Sequence, residues 1–230
     1  MRKRRGIMET LITAHTGADG RPDNSLEFVE YALGCGADTL EVDVRRLPGG
    51  NGSETLAIGH DQVGAQAPRL AEVLRMTAAR PGVNINCDLK EPGLEAAVCR
   101  LAEEAGLSGR LILSGTVDAA APALGAEVYL NMEEYVPDLY LSYREKPDFE
   151  LEAAEKIIAV CQKAGIRTVN IYQGLVTRRL AETLGRAGVG LSVWTVNEAW
   201  ELKWFLSLGV RNITTRRPAL ALCLREGREP

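Results

Sequence analysis

The stretch Leu40-Glu-Val-Asp-Val-Arg-Arg46 alternates apolar and charged residues. Its charged residues share one face of a strand, namely Glu41, Asp43 and Arg45. The stretch Val83-Asn-Ile-Asn-Cys-Asp-Leu-Lys90 alternates in the same way and presents Asn84, Asn86, Asp88 and Lys90 on one face. Parallel strands covered by helices are normally apolar on both faces. The pattern therefore predicts that these polar faces point into the lumen of a closed barrel.

Short apolar runs alternate with amphipathic stretches along the whole chain, which predicts βαβ units and a parallel sheet. Asn24, Thr177 and Asn197 stand where helix N-caps belong. The predicted helices include Val117–Leu124. The predicted strands cover Thr10–Ala14, Thr39–Val44, Thr55–Gly59, Val83–Leu89, Arg110–Leu113, Glu127–Leu130, Thr168–Tyr172, Gly190–Trp194 and Asn212–Thr215.

The link between the second and third predicted strands decides how many of them form the barrel. It contains Pro48 followed by Gly49 and has no helical pattern, whereas a parallel crossover usually needs about a dozen residues and a helix. Thr55–Gly59 is therefore predicted to return antiparallel, as a β-hairpin at the barrel mouth. The other eight strands predict an α/β fold, a TIM (β/α)8 barrel. We expect one domain over residues 1–230, with a basic terminus at residues 1–6.

Composition excludes several classes of protein. A hydrophobic content of 46%, with 25% charged residues, is typical of a folded globular chain, and a formal net charge of -4 argues against nucleic-acid binding. The sequence contains no run of about 18 apolar residues, so we expect no integral membrane association. The five cysteines include no Cys-x-x-Cys pair, which favours reduced thiols in a cytoplasmic protein. Two histidines exclude a site built on several imidazoles.

The carboxylates on the two polar strand faces predict a metal site. Burying several carboxylates without partners is costly, and one divalent cation would offset that cost. Glu41, Asp43 and Asp88 are oxygen ligands suited to Mg²⁺ or Ca²⁺. The alternative is a structural ion-pair cluster that these acids form with Lys90 and Arg45.

Both histidines of the chain fall at the predicted barrel mouth. His15 follows the first strand and His60 follows the hairpin, and barrel enzymes carry their sites at the carboxyl ends of the strands. Two imidazoles beside a bound metal suit general acid and base cleavage of a phosphodiester. The sequence does not distinguish the acid from the base.

A set of segments resembles the glycerophosphodiester phosphodiesterases, in the order that this family shows. They are His15-Thr-Gly17, Pro22-Asp-Asn-Ser25, Gly36-Ala-Asp-Thr-Leu-Glu-Val-Asp43, Ile58-Gly-His-Asp61, Asp88-Leu-Lys90, Val193-Trp-Thr-Val-Asn197 and Ile213-Thr-Thr-Arg-Arg-Pro218. The resemblance implies a TIM barrel, a divalent cation and hydrolysis of a glycerophosphodiester to glycerol 3-phosphate and an alcohol. It implies metal ligands at Glu41, Asp43 and Asp88, acid–base residues His15 and His60, and phosphate contact or ligand orientation by Lys90.

The chain departs from that family in its cationic residues. The family usually has an arginine after its first histidine, where this chain has Thr16, and an acid after the last strand, where it has Arg216. We expect the lost guanidinium to be supplied by Arg216, or else by Arg45. Asp23, Ser25 and Asp88 replace the more usual Glu, Thr and Glu.

The family insertion that covers the site is nearly absent, because residues 62–68 lead directly into a helix. An open mouth would accept a larger alcohol or would use a second subunit as cover, so a homo-oligomer is compatible with the sequence. Residues 135–146 offer another cover, and Trp194 is expected to line the pocket. The alternative function is a diverged barrel that binds a phosphate sugar with little or no turnover.

Overall fold

The computed structural model describes residues 9–49, 55–136 and 149–228. The strands are β1 (Leu11–Ala14), β2 (Thr39–Arg46), β3 (Leu56–Ile58), β4 (Asn84–Leu89), β5 (Leu111–Gly115), β6 (Glu127–Asn131), β7 (Thr168–Tyr172), β8 (Gly190–Trp194) and β9 (Asn212–Thr215). The α-helices are α1 (Leu26–Gly34), α2 (Leu70–Ala78), α3 (Glu95–Glu104), α4 (Phe149–Ala164), α5 (Arg178–Arg186), α6 (Ala199–Leu208) and α7 (Pro218–Arg225).

Eight of the strands close into a parallel barrel in the order β1-β9-β8-β7-β6-β5-β4-β2, and β1 pairs with β2 to complete the ring. β3 pairs only with β2, and it runs antiparallel, with Val44 opposite Ile58. The TIM barrel and the hairpin at its mouth are therefore confirmed. The link from β3 to α2 spans only residues 59–69, which confirms that the covering insertion is nearly absent.

The barrel wall shows why two strands alternate. The apolar residues of β2 and β4 are fully buried in the core under the helices: Leu40, Val42, Val44, Ile85, Cys87 and Leu89. The parallel register sets Glu41 beside Asn86 and Asp43 beside Asp88. The next strand sets Ser114 beside Asp88. The polar faces thus meet on the lumen side, as the alternation predicts.

Two local predictions are wrong. No α-helix joins β5 to β6, since Val117–Leu124 contains only a short 3₁₀ helix at Ala121–Leu124. Two of the three predicted N-caps are also misplaced, because α1 is capped by the Ser25 hydroxyl and α6 begins after Glu198. The third prediction is confirmed, since the Thr177 hydroxyl accepts a hydrogen bond from Leu180 N.

Several expectations fall on residues outside the described ranges. They are the basic terminus at residues 1–6, most of the hairpin turn, and most of the loop over residues 135–146. All five cysteines lie within the described ranges and none forms a disulfide. Among the described helices, none has the length and apolar character that a membrane crossing requires.

Candidate active site

A cavity of about 280 Å³ opens at the carboxyl end of the barrel. It is the place where the predicted site residues meet, and eight of the nine line it: His15, Glu41, Asp43, His60, Asp88, Lys90, Trp194 and Arg216. The ninth, Arg45, lies outside the cavity lining, and its Nε donates a hydrogen bond to the carbonyl of His60 at 2.7 Å. Arg45 thus supports the end of the hairpin, so the geometry does not favour its predicted contact with phosphate.

The three carboxylates converge. Glu41, Asp43 and Asp88 each offer an oxygen within 4.8 Å of the others, and Glu41 and Asp43 are buried. Two of them are oriented by hydrogen bonds from neighbouring groups: Thr16 N donates to Glu41 Oε2 at 3.0 Å, and Ser114 Oγ donates to Asp88 Oδ1 at 2.6 Å. Burial, and then the charges of Asp43 and Asp88, raise the pKa of Glu41. The smaller, charge-based part of this shift reflects the crowding of three carboxylates in one place.

Lys90 partly compensates that charge. Its Nζ lies 2.8 Å from Asp43 Oδ1 and also contacts Asp88 Oδ2. Burial alone would lower the pKa of Lys90, but the charges of Asp88 and Asp43 outweigh burial and raise it. Three carboxylates against one ammonium leave a deficit of two positive charges, which one divalent cation would neutralise. The oxygen donor set fits Mg²⁺ or Ca²⁺. The alternative ion-pair cluster predicted from the sequence also forms, with Lys90 but without Arg45.

Asn24 is a site residue that sequence reasoning missed. Its Nδ2 donates to Asp43 Oδ2 at 2.7 Å, and its Oδ1 accepts from Asp43 N at 3.0 Å. Its backbone is left-handed, with φ +48°, and its N–H donates to Thr16 Oγ1. The sequence signal for this role is the position of Asn24 in the segment Pro22–Ser25, which the family resemblance includes. A carboxamide just before a helix, however, is also typical of an N-cap. The carboxamide serves Asp43 instead, and Ser25 caps the helix.

His15 is held in one tautomer. Its Nδ1 donates to the carbonyl of Thr16 at 2.8 Å, so Nε2 is the acceptor of the neutral ring. Burial lowers the pKa of His15, against the hydrogen bond to Thr16, which raises it, while the charge of Arg216 lowers it further. The ring is therefore neutral over a wider pH range than a free histidine.

His60 lies at the rim, with 68% of its side chain exposed. Its Nδ1 is 3.2 Å from Asp61 Oδ1. The His60 ring is exposed because the link from β3 to α2 is short and, among the described residues, places nothing over it. Trp194, at the end of β8, also lines the mouth and packs edge-on against Tyr172, with ring centroids 5.7 Å apart.

The wall across from the carboxylates is rich in amides. Asn131 and Asn170 line it on neighbouring strands, and Asn170 Nδ2 donates to Asn131 Oδ1 at 3.0 Å. Asn86 lines the cavity one layer below Asp88. A lumen polar on both sides suits a hydrophilic substrate better than an acyl chain.

Comparisons with known proteins bear on this site. No protein-family model matches the sequence. A glycerophosphodiester phosphodiesterase of Bacillus altitudinis is 27% identical over an alignment of 256 positions, gaps included, which covers 94% of this chain and 98% of that relative. This chain is similar to glycerophosphodiester phosphodiesterases over nearly its whole length. The resemblance stated from its motifs is thereby confirmed.

Solved structures share the fold. A glycerophosphodiester phosphodiesterase of Parabacteroides distasonis superposes with a TM-score of 0.72 at 16% identity, over 96% of this chain and 99% of that one. A phosphodiesterase of Oleispira antarctica, solved in complex with the product sn-glycerol-3-phosphate, superposes with a TM-score of 0.69 at 16% identity, over 94% and 96%. At these identities the likeness establishes the TIM barrel.

Proposed function

We propose that this protein hydrolyses a glycerophosphodiester to glycerol 3-phosphate and an alcohol with one divalent cation, Mg²⁺ or Ca²⁺. The observation that carries the proposal is the meeting of three carboxylates and two histidines in one cavity at the carboxyl end of the barrel. The curated relative and the product complex of the Oleispira protein support the substrate class.

Glu41, Asp43 and Asp88 would hold the cation through carboxylate oxygens. When bound, the cation would neutralise charge on the phosphoryl group and its attacking or leaving oxygens. Asn24 and Ser114 then act as orienting groups that keep Asp43 and Asp88 in place. Lys90 balances the third negative charge of the carboxylates through its contacts with Asp43 and Asp88.

His15 would be the general base and His60 the general acid. His15 is neutral, and its acceptor is Nε2, so it can take a proton from an attacking water. It can equally take one from a substrate hydroxyl beside the phosphate, and water must then open the resulting cyclic phosphate to give glycerol 3-phosphate. His60, at the open rim beside Asp61, would protonate the leaving alkoxide. The proton that His15 accepts and the one that His60 donates keep the reaction balanced.

The second candidate is a binding barrel with little or no turnover. The exposure of His60 favours it, because a phosphodiester at an uncovered rim would react in contact with bulk water. A homo-oligomer that covers the mouth would remove this objection. We place either function in the cytoplasm, since five free thiols are typical of a reducing compartment.

Hydrolysis assays separate the two candidates. Glycerophosphocholine, glycerophosphoethanolamine and bis(p-nitrophenyl) phosphate are offered with Mg²⁺, with Ca²⁺ and with a chelator. Turnover should require the cation and should be lost in His15→Ala, His60→Ala and Glu41→Ala, whereas Glu155→Ala, at an exposed position on α4, should retain it. Tight binding of glycerol 3-phosphate without turnover of any diester would favour the second candidate.

A further inference from the structure

Arg216 is the cation of the cavity that the acid triad of Glu41, Asp43 and Asp88 does not engage. It follows β9 and lines the cavity, as does Lys90. Lys90 is engaged by Asp43 and Asp88. Among the described lining residues, Arg216 is therefore the remaining permanent positive charge, and it lies on the side of the mouth formed by the turn after β1.

The backbone of Arg216 is anchored to that turn. Its N–H donates to Asn197 Oδ1 at 2.9 Å, and its carbonyl accepts from Asp19 N at 2.8 Å. The carbonyl of the residue before it, Thr215, accepts from His15 N at 2.9 Å. These bonds tie the position of Arg216 to that of His15, and they explain why the Asn197 carboxamide is unavailable as an N-cap.

One terminal nitrogen of the Arg216 guanidinium forms an ion pair, and the other forms no hydrogen bond with the described residues. Nη2 lies 3.0 Å from Asp23 Oδ1, whereas Nη1 has no hydrogen-bond partner among the described residues. The pair packs against Gly17. A Cβ added to Gly17 would lie 2.0 Å from Asp23 Oδ1 and 3.3 Å from Arg216 Nη1. Since the side chain is 45% exposed, the surrounding protein leaves room for an anion.

We infer that Arg216 binds the phosphate of the substrate and that Asp23 is the positioning residue that aims its guanidinium. The inference rests on the proposed function and names a residue that the proposed function does not need. A planar guanidinium can give one N–H to a carboxylate and another to a phosphoryl oxygen, which an ammonium cannot do with fixed geometry. Arg216 would thus hold the phosphate beside His15 through Nη1 while its Nη2 stays paired with Asp23.

Ligand binding tests the role of Arg216 without relying on turnover. The probes are sn-glycerol 3-phosphate and inorganic phosphate, titrated calorimetrically into wild type with saturating Mg²⁺. Arg216→Ala should lower both affinities roughly 10- to 100-fold, as expected for the loss of a charge-assisted hydrogen bond. Arg216→Lys should recover only part of the loss. The control Arg217→Ala, whose guanidinium reaches the carbonyl of Asn197 instead, should stay within about twofold of wild type.

A glycine pair tests the geometry of the ion pair with every charge kept. Gly17 and Gly20 both have positive φ, but a Cβ on Gly20 would meet nothing within 4 Å. Gly17→Ala should therefore displace Asp23 and weaken phosphate binding, whereas Gly20→Ala carries the same backbone strain and should not. Asp23→Ala should raise KM more than it lowers kcat. Asp23→Glu should restore KM because it keeps the carboxylate, whereas a purely structural role of Asp23 would not depend on that charge.

The outcomes separate this inference from the proposed function. If diester hydrolysis is lost in Glu41→Ala but Arg216→Ala leaves phosphate affinity unchanged, the proposed function stands and the inference is wrong. If Arg45→Ala lowers the affinity and Arg216→Ala does not, the guanidinium comes from β2 and the inference is again wrong. If no diester is hydrolysed but phosphate binding depends on Arg216, the inference holds and the proposed function fails.

Discussion

Asn24 and Asp43 exchange two hydrogen bonds, from Asn24 Nδ2 to Asp43 Oδ2 at 2.7 Å and from Asp43 N to Asn24 Oδ1 at 3.0 Å. The exchange links the turn before α1 to the middle of β2. It leaves Asp43 Oδ1 to Lys90 and fixes the plane of the carboxylate. A residue outside the cavity lining thus sets the orientation of a proposed metal ligand.

Asn24→Gly should weaken binding of the cation by roughly 10-fold, because groups that orient metal ligands typically contribute 10- to 100-fold to affinity. Glycine keeps the left-handed backbone of Asn24, at φ +48°, so only the carboxamide is lost. Calorimetric titration with Mg²⁺ or Ca²⁺ measures the effect. Asp19→Gly is the matched control, since Asp19 has the same φ of 48° and does not line the cavity. Equal affinities in both variants would contradict this role.

Lys90→Met should destabilise the metal-free protein by roughly 1 to 3 kcal/mol, because it leaves Asp43 and Asp88 without their cation. Adding the divalent cation should raise the melting temperature of the variant more than that of wild type, since the cation then supplies the missing charge. Thermal unfolding with chelator and with Mg²⁺ measures both effects. Lys163→Met, at an exposed position of α4, should change neither. A variant as stable as wild type without metal would show that the ion pairs contribute nothing.

Gly115→Ala should disturb the acid triad through Asp88. A Cβ on Gly115 would lie 2.4 Å from the carbonyl of Leu89 and 2.9 Å from Asp88 Oδ1, at φ +79°. Gly125 has φ +86° and nothing within 4 Å of such a Cβ, so Gly125→Ala tests the backbone strain alone. The left-handed backbone should cost each variant about 1 kcal/mol. Gly115→Ala should lose more stability than Gly125→Ala because its Cβ also meets backbone atoms of Leu89, and only Gly115→Ala should lower cation affinity. The prediction is wrong if the two variants bind the cation equally.

His15 should titrate below pH 6.5 in the metal-free protein, because burial, with a further contribution from the charge of Arg216, lowers its pKa. On acidification the unfolded chain then takes up its proton first, so this group reduces stability as the pH falls from 6.5 through the folded pKa. Arg216→Ala should raise the pKa of His15. Proton NMR titration is direct, because the chain has two histidines and His60→Gln assigns both signals. A His15 signal that titrates above pH 6.5 would contradict the burial effect, and one that Arg216→Ala leaves unmoved would contradict the charge effect.

Much of the fold was predictable, because period-two alternation within a buried strand has few explanations. Glu41, Asp43 and Asp88 were placed on the lumen side from that alternation, and the register brings them together. The α-helix predicted over Val117–Leu124 does not form. Its residues have helical propensity, but in the fold the connection from β5 to β6 completes only a 3₁₀ turn.

The partners of individual polar side chains were less predictable. Asn24 and Asn197 have the local signature of N-caps, and both are taken by contacts from distant parts of the chain. Local sequence reports propensity for a helix start, whereas the contact made depends on which group the fold brings near. In both residues the carboxamide oxygen accepts a backbone N–H from a distant segment, Asp43 N or Arg216 N, instead of an N–H of the following helical turn.

The sequence alone established a barrel with carboxylates in its lumen and both histidines at one end, because strand alternation and chain order suffice for that. The tertiary structure decided the rest. It made Lys90 the counter-charge of Asp43 and Asp88, assigned Arg45 to the hairpin carbonyl, and set Arg216 beside Asp23 at the mouth. The last pair joins the end of β9 to the turn after β1, and only closure of the barrel brings those two segments together.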